Sequence, residues 1–134
     1  MNRRYYCLFV VLFLAVLVRA AASESTFNIL FIQSYTSQTP WHSDLNQGLV
    51  KGFRESGVKV NITTEYLDAD FWAFNSEKVI MRRFCERARE RRTDLIVTAS
   101  DEAFYTLFAC GDSLPLQIPV VFFGIKYPDN RLLA

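Results

Sequence analysis

The stretch Asp94-Leu95-Ile96-Val97-Thr98-Ala99-Ser100-Asp101-Glu102-Ala103 changes character within a few residues. An apolar run, Leu95 to Val97, gives way to small and acidic side chains, so the stretch reads as a buried strand, a polar turn and a helix start. Ser100 is placed to cap that helix, because a serine hydroxyl accepts a backbone N–H left unpaired in the first turn. Asp101 and Glu102 then complement the positive end of the helix dipole. In open α/β sheets ligands bind outside the carboxyl ends of the strands, which is where this turn falls.

Working outward, the same alternation recurs on both sides. Asn28 to Gln33 is an unbroken apolar run around Ile29-Leu-Phe-Ile32 and reads as a strand buried on both faces. Thr39-Pro40 looks like a helix start, with Thr39 as cap and Pro40 in the first helical position. Trp41, Leu45, Leu49 and Phe53 then fall on one helical stripe, with Asp44, Gln47, Lys51 and Glu55 facing away. Gly57 suits the left-handed stop after that helix. Val58, Val60 and Ile62 alternate with Lys59, Asn61 and Thr63, the period of a half-exposed strand. Ser76 to Arg92 is a second helix with an apolar stripe of Ile80, Met81, Phe84, Cys85 and Ala88. Its arginines, Arg82, Arg83, Arg87, Arg89, Arg91 and Arg92, read as a solvated face with Glu86 and Glu90 as neighbours one turn away. The helix that starts at Asp101 continues through Phe104, Leu107 and Phe108 to Gly111, and Val120 to Phe123 makes a fourth buried strand ending at Gly124.

The order βαβαβαβ implies crossover connections and hence a parallel sheet. An alternating second strand beside continuous first and third strands fits a flavodoxin-like three-layer α/β arrangement, order 2-1-3-4, with strand 2 at an edge. A parallel sheet is covered on both faces, and no helix follows strand 4 to cover it. The chain therefore reads as the N-terminal part of something longer, an incomplete lobe.

The first residues set the compartment. Arg3 and Arg4 precede an apolar run from Tyr5 to Val18, and Ala20-Ala21-Ala22 follows, the pattern of a secretory signal peptide cut after Ala22. The alternative is an uncleaved anchor, although Arg19 interrupts the run before the roughly 20 apolar residues that a membrane span needs. The division expected is thus 1–22 signal peptide and 23–134 domain, with an exported, periplasmic product, anchored to the inner membrane if a downstream part carries a span. Cleavage removes three basic residues and no acidic one, leaving 12 basic against 14 acidic residues, a net charge of −2. That balance gives no electrostatic reason to expect a nucleic-acid partner. Cys85 and Cys110 are expected as buried free thiols, with a disulfide as the alternative in an oxidising compartment, and their spacing matches no metal site.

Three strand ends bring polar or aromatic groups to one rim: Ser34-Tyr35 with Trp41, then Ser100-Asp101-Glu102, then Phe123-Gly124. Ser34 can satisfy turn backbone, Tyr35 and Trp41 can pack, Ser100 can cap and Gly124 can serve a turn without any ligand. The fold's convergence of all of them on one crevice favours binding, and helix starts there would suit a carboxylate or other anion. Catalysis fares worse. His42 is the single histidine of the chain, Asp44 points away from it on the helix, and no Gly-x-Ser-x-Gly elbow is present. Ser34-Tyr-Thr-Ser-Gln-Thr39 lacks the glycine of a flavodoxin phosphate loop, and Gln33-Ser34 replaces the aspartate of a receiver domain.

Asn28-Ile-Leu-Phe-Ile-Gln-Ser-Tyr35 with Pro40-Trp41, Glu65-Tyr-Leu-Asp68, Asp94 to Ala103, and Ile118-Pro-Val-Val-Phe-Phe-Gly-Ile125 follow in order. In this combination residues 27–128 resemble the ABC-transporter substrate-binding-like proteins, and especially their relatives in the extracytoplasmic sensor regions of bacterial histidine kinases. The resemblance implies a periplasmic-binding-protein fold of two α/β lobes closing on a small-molecule ligand, with this chain holding most of the first. It implies ligand contacts at Ser34, Tyr35, Trp41, Ser100, Asp101 and Gly124, with no cofactor, no metal and no catalytic residue in this chain. The second lobe, and any membrane helix, kinase core and phosphoacceptor histidine, would lie downstream. A free binding protein delivering its ligand to a transporter is the alternative, and a secreted α/β enzyme a weaker third.

Overall fold

The computed structural model describes residues 26–36, 38, 40–71 and 73–127. The proposed signal peptide and the Thr39 cap lie outside the described residues. Four strands, β1 (Phe27–Gln33), β2 (Val60–Tyr66), β3 (Leu95–Ala99) and β4 (Val120–Phe123), alternate with three helices, α1 (Pro40–Ser56), α2 (Phe74–Glu90) and α3 (Asp101–Ala109), and a 3₁₀ turn at Leu114–Leu116 precedes β4. The sheet order is β2-β1-β3-β4 and every pairing is parallel. The fold is therefore the flavodoxin-like α/β lobe that the alternation implies, with β2 at one edge.

The continuous apolar runs are explained by two cores, one on each side of the sheet. Ile29, Phe31, Val97 and Ala99 point to one face, where Leu45, Leu49 and Phe53 of α1 pack on them. Leu30, Ile32 and Ile96 point to the other, against Met81, Phe84, Cys85 and Ala88 of α2 and Ala103 and Leu107 of α3. Because side chains alternate across a strand, both sets must be apolar, whereas edge strand β2 buries its side chains only partly. α1 ends as expected at Gly57, whose φ of +72° is the left-handed conformation that glycine adopts without strain.

Three expectations need correction. β2 begins at Val60 and runs on to Tyr66, so Val58 precedes it. β4 forms where expected but is not buried: Val121 is 51% and Phe122 40% exposed, since β4 is an edge strand with β3 as its sheet partner. Among the described residues the arginines in and just after α2 make their hydrogen bonds and ion pairs off the helix, although the charge of Glu86 still acts on Arg89. Arg87 pairs with Glu65 of β2 at 2.9 Å, Arg91 donates to Thr63 at 2.9 Å, Arg82 donates to the Cys110 carbonyl at 2.6 Å, and Arg89 grips Asp112 with both terminal nitrogens. Reaching sideways, these long side chains tie α2 to its neighbours, while the Arg87 guanidinium also lies over the Phe84 ring one turn back, 5.1 Å from its centroid. Cys85 and Cys110 are buried free thiols, and burial beside Cys110 pushes the Cys85 thiol up to about 12. No described helix is long and apolar enough to cross a membrane.

Candidate functional site

The strand–turn–helix at residues 94–103 is built differently from a self-capped helix. Ser100 lies at φ 76° and ψ 168° and makes no side-chain capping bond. Its backbone N–H donates to the Phe123 carbonyl at 3.0 Å, extending the β3–β4 ladder by one step. The cap comes from across the sheet. Ser34, just past the end of β1, accepts the Ala103 N–H on its hydroxyl at 2.9 Å and donates that hydroxyl to the Ala99 carbonyl at 3.0 Å. Ala103 is the third helical residue, where an N-cap oxygen normally acts. Ser34 thus does the work expected of Ser100, while Ser100 occupies a backbone region that is almost exclusively glycine's and costs about 1–3 kcal/mol to hold.

Asp101 is engaged as well. Its carboxylate accepts the backbone N–H groups of Lys126 and Tyr127 at 3.0–3.1 Å, and the Tyr105 hydroxyl donates to the Tyr127 carbonyl, so the segment after β4 is fastened to α3. Across the sheet, the exit of β2 is stapled to that of β1 by Leu67 N–H to the Gln33 carbonyl at 2.9 Å and Ala69 N–H to the Ser34 carbonyl at 2.8 Å.

Around this frame stands an aromatic group. His42, only 1% exposed, lies edge-on between Tyr35 and Trp41, with ring centroids 5.4 and 4.8 Å away. Burial lowers the proton affinity of its imidazole, opposed by the charges of Asp70 and Glu102. Tyr35 donates its hydroxyl to Glu102 Oε1 at 2.8 Å. Burial, that bond and the nearby carboxylates hold its phenol well above the ordinary range. Trp41 remains 45% exposed, and its indole lies over Gly124, where a Cβ would sit 3.1 Å from the ring. Gly124, at φ +70°, is thus required both by its backbone and by the indole.

All six residues that the sequence points to, Ser34, Tyr35, Trp41, Ser100, Asp101 and Gly124, fall on this one rim and are linked through these contacts. Ser34 and Asp101 are already engaged within the chain. Sequence reasoning missed the polar groups that have no hydrogen-bond partner among the described residues: both side-chain polar atoms of Gln33, both ring nitrogens of His42, Asp68 Oδ1 and Glu102 Oε2, all buried. Each buried polar atom left unpaired costs about 1–3 kcal/mol. Gln33, a polar residue closing an apolar strand, was the available signal. Thr98 Oγ1 also has no hydrogen-bond partner among the described residues but points from β3 to the opposite face from Gln33.

A Ser34–His42–Asp44 relay is not formed, since the Ser34 hydroxyl donates to a carbonyl and neither ring nitrogen of His42 has a hydrogen-bond partner among the described residues. Among the described residues no cluster of His, Cys, Asp and Glu is arranged to hold a metal. A surface hollow of about 360 Å³, lined by Asn46, Gln47, Val50, Lys51 and Arg54, lies along α1, away from the rim. No family model matches the chain, and no curated protein matches it. Among solved structures it is similar to the Lac repressor dimer bound to operator and the anti-inducer ONPF, with a TM-score of 0.47 and 10% identity, over 82% of this chain and 30% of that one.

Proposed function

We propose that this chain is a small-molecule-binding lobe whose ligand sits at the rim formed by the carboxyl ends of β1, β3 and β4. The observation that carries the reading is the set of buried, unpartnered polar groups, Gln33, His42, Asp68 and Glu102, at that rim. Native chains rarely leave such groups unpaired, and a ligand that pairs with them recovers the cost. Tyr35 and Trp41 supply its apolar contacts, while Ser34, Asp101 and Gly124 hold the geometry. Strain at Ser100 sits where binding residues are set.

In this reading the chain is exported and serves as the sensing lobe of a two-component histidine kinase, closing with a second lobe on its ligand so that binding biases a signalling element across the membrane. The apolar edge at Val121 and Phe122 supports further chain packing against β4. A thermal-shift screen of the full chain tests the binding claim, since a ligand that binds only the folded state raises Tm. A confirmed ligand should lose its shift in Tyr35→Ala and Trp41→Ala; an undiminished shift in both refutes the site. The downstream reading frame tests the sensor role: a spanning helix followed by a histidine-bearing dimerisation helix supports it, and a stop after a second α/β lobe refutes it in favour of a transport protein.

A further inference from the structure

Resting on that reading, we infer that the rim selects a cationic amine, an organic ammonium carried on an apolar or aromatic body. Segments 33–36, 40–42, 67–71, 99–105 and 123–127 carry Asp68, Asp70, Asp101 and Glu102 against a single basic residue, Lys126. The Lys126 ammonium lies over the Tyr127 ring, 5.2 Å from its centroid. His42 adds no positive charge, because burial keeps it neutral. The nearest negative charge is oriented: Glu102 Oε1 is held by the Tyr35 hydroxyl, leaving Oε2 buried and without a donor. An ammonium supplies that donor as a charge-assisted bond, whereas a ligand carboxylate would meet a like charge.

The aromatic faces point the same way. Tyr35, bonded to Glu102, and the half-exposed Trp41 both stand roughly perpendicular to His42, and the faces of such rings attract cations. At the start of α3 the groups that would hold an anion are already occupied. The Ala103 N–H is taken by Ser34, the Lys126 and Tyr127 N–H groups by Asp101, and the positive end of α3 by its own Asp101 and Glu102. A helix start that would otherwise suit an anion is therefore closed to one. The unpartnered, almost wholly buried His42 marks the same place as incomplete without a ligand.

The test titrates the full chain by calorimetry with three probes that share a phenyl ring on a three-carbon chain, 3-phenylpropylammonium, 3-phenylpropionate and 3-phenyl-1-propanol. The amine should bind at least tenfold more tightly than either other probe and weaken with added salt. Glu102→Gln should reduce amine affinity several-fold and by a clearly larger factor than it reduces alcohol affinity, while Trp41→Ala should weaken every probe. If the carboxylate or the alcohol binds as well as the amine, and Trp41→Ala still weakens it, the cation preference is overturned and the rim site stands. If no probe binds, or Trp41→Ala changes nothing, both the preference and the site fall. The salt dependence on the unmodified chain decides the matter even if a variant fails to fold: affinity for the amine that is indifferent to salt overturns the inference.

Discussion

Replacing Ser34 with alanine removes one hydroxyl that serves two elements at once. The Ala99 carbonyl keeps a partner, because it also accepts the Ser34 backbone N–H at 3.2 Å. The Ala103 N–H does not, since the Ser34 hydroxyl is its acceptor and the site is buried. Loss of a cap costs about 1 kcal/mol, and a buried donor left unpaired about 1–3 kcal/mol, so the expected loss is about 2 kcal/mol. For a domain near 100 residues this lowers Tm by roughly 8–16 °C. Ser100→Ala should lie within about 0.5 kcal/mol of the parent, because Ser100 makes no capping bond. Ser100→Gly should raise stability by about 0.5–1 kcal/mol by relieving its backbone, net of the added freedom of the unfolded chain. Chemical denaturation of the three variants decides it. A neutral Ser34→Ala beside a costly Ser100→Ala would refute the cross-sheet cap.

The remaining predictions concern packing, titration and thiols. Gly124→Ala should cost about 1–2 kcal/mol, from its positive φ and the indole 3.1 Å away, with a change in Trp41 fluorescence; an unchanged Tm and spectrum would contradict this. His42 has a folded-state pKa below its unfolded value, so the unfolded chain binds more protons and stability falls as pH drops below about 6.5. Tm measured from pH 8 to 5 should fall less steeply in His42→Leu than in the parent. Asp112 works further down the scale. Its hydrogen bond from Arg89 depresses its pKa, so the stability it contributes is present above about pH 4 and lost as pH falls through the folded value; Asp112→Asn should remove that acid limb. Cys85 and Cys110 should resist a thiol reagent in the native chain and react completely in urea, and rapid native labelling would show that they are not buried.

The architecture was legible because it rests on local periodicity. The unbroken runs at Ile29–Ile32 and Leu95–Val97 require burial on both faces, and the alternation in β2 marks an edge, which together order the sheet. The rim was legible as a place, since strand ends converge by topology, but not in its wiring. A serine after a strand does not reveal that it will cap a helix some seventy residues later, so the hydroxyl was assigned to Ser100, its sequence neighbour. The α2 arginines failed for the same reason: i,i+4 partners are visible in sequence, while Glu65 and Asp112 become partners only when the chain folds. In sequence His42 looks like a candidate catalyst and Glu102 like a dipole residue, yet both matter through buried polar atoms with no hydrogen-bond partner among the described residues. That property belongs to packing and carries no sequence signature.

Whether a ligand seats at the carboxyl ends of the strands can be read from backbone amide NMR on the full chain with a ligand found by thermal shift. The largest shifts should fall on residues 34–36, 41–42, 100–102 and 124. Shifts confined to Asn46, Gln47, Val50 and Arg54 would place the ligand in the hollow along α1 and contradict it.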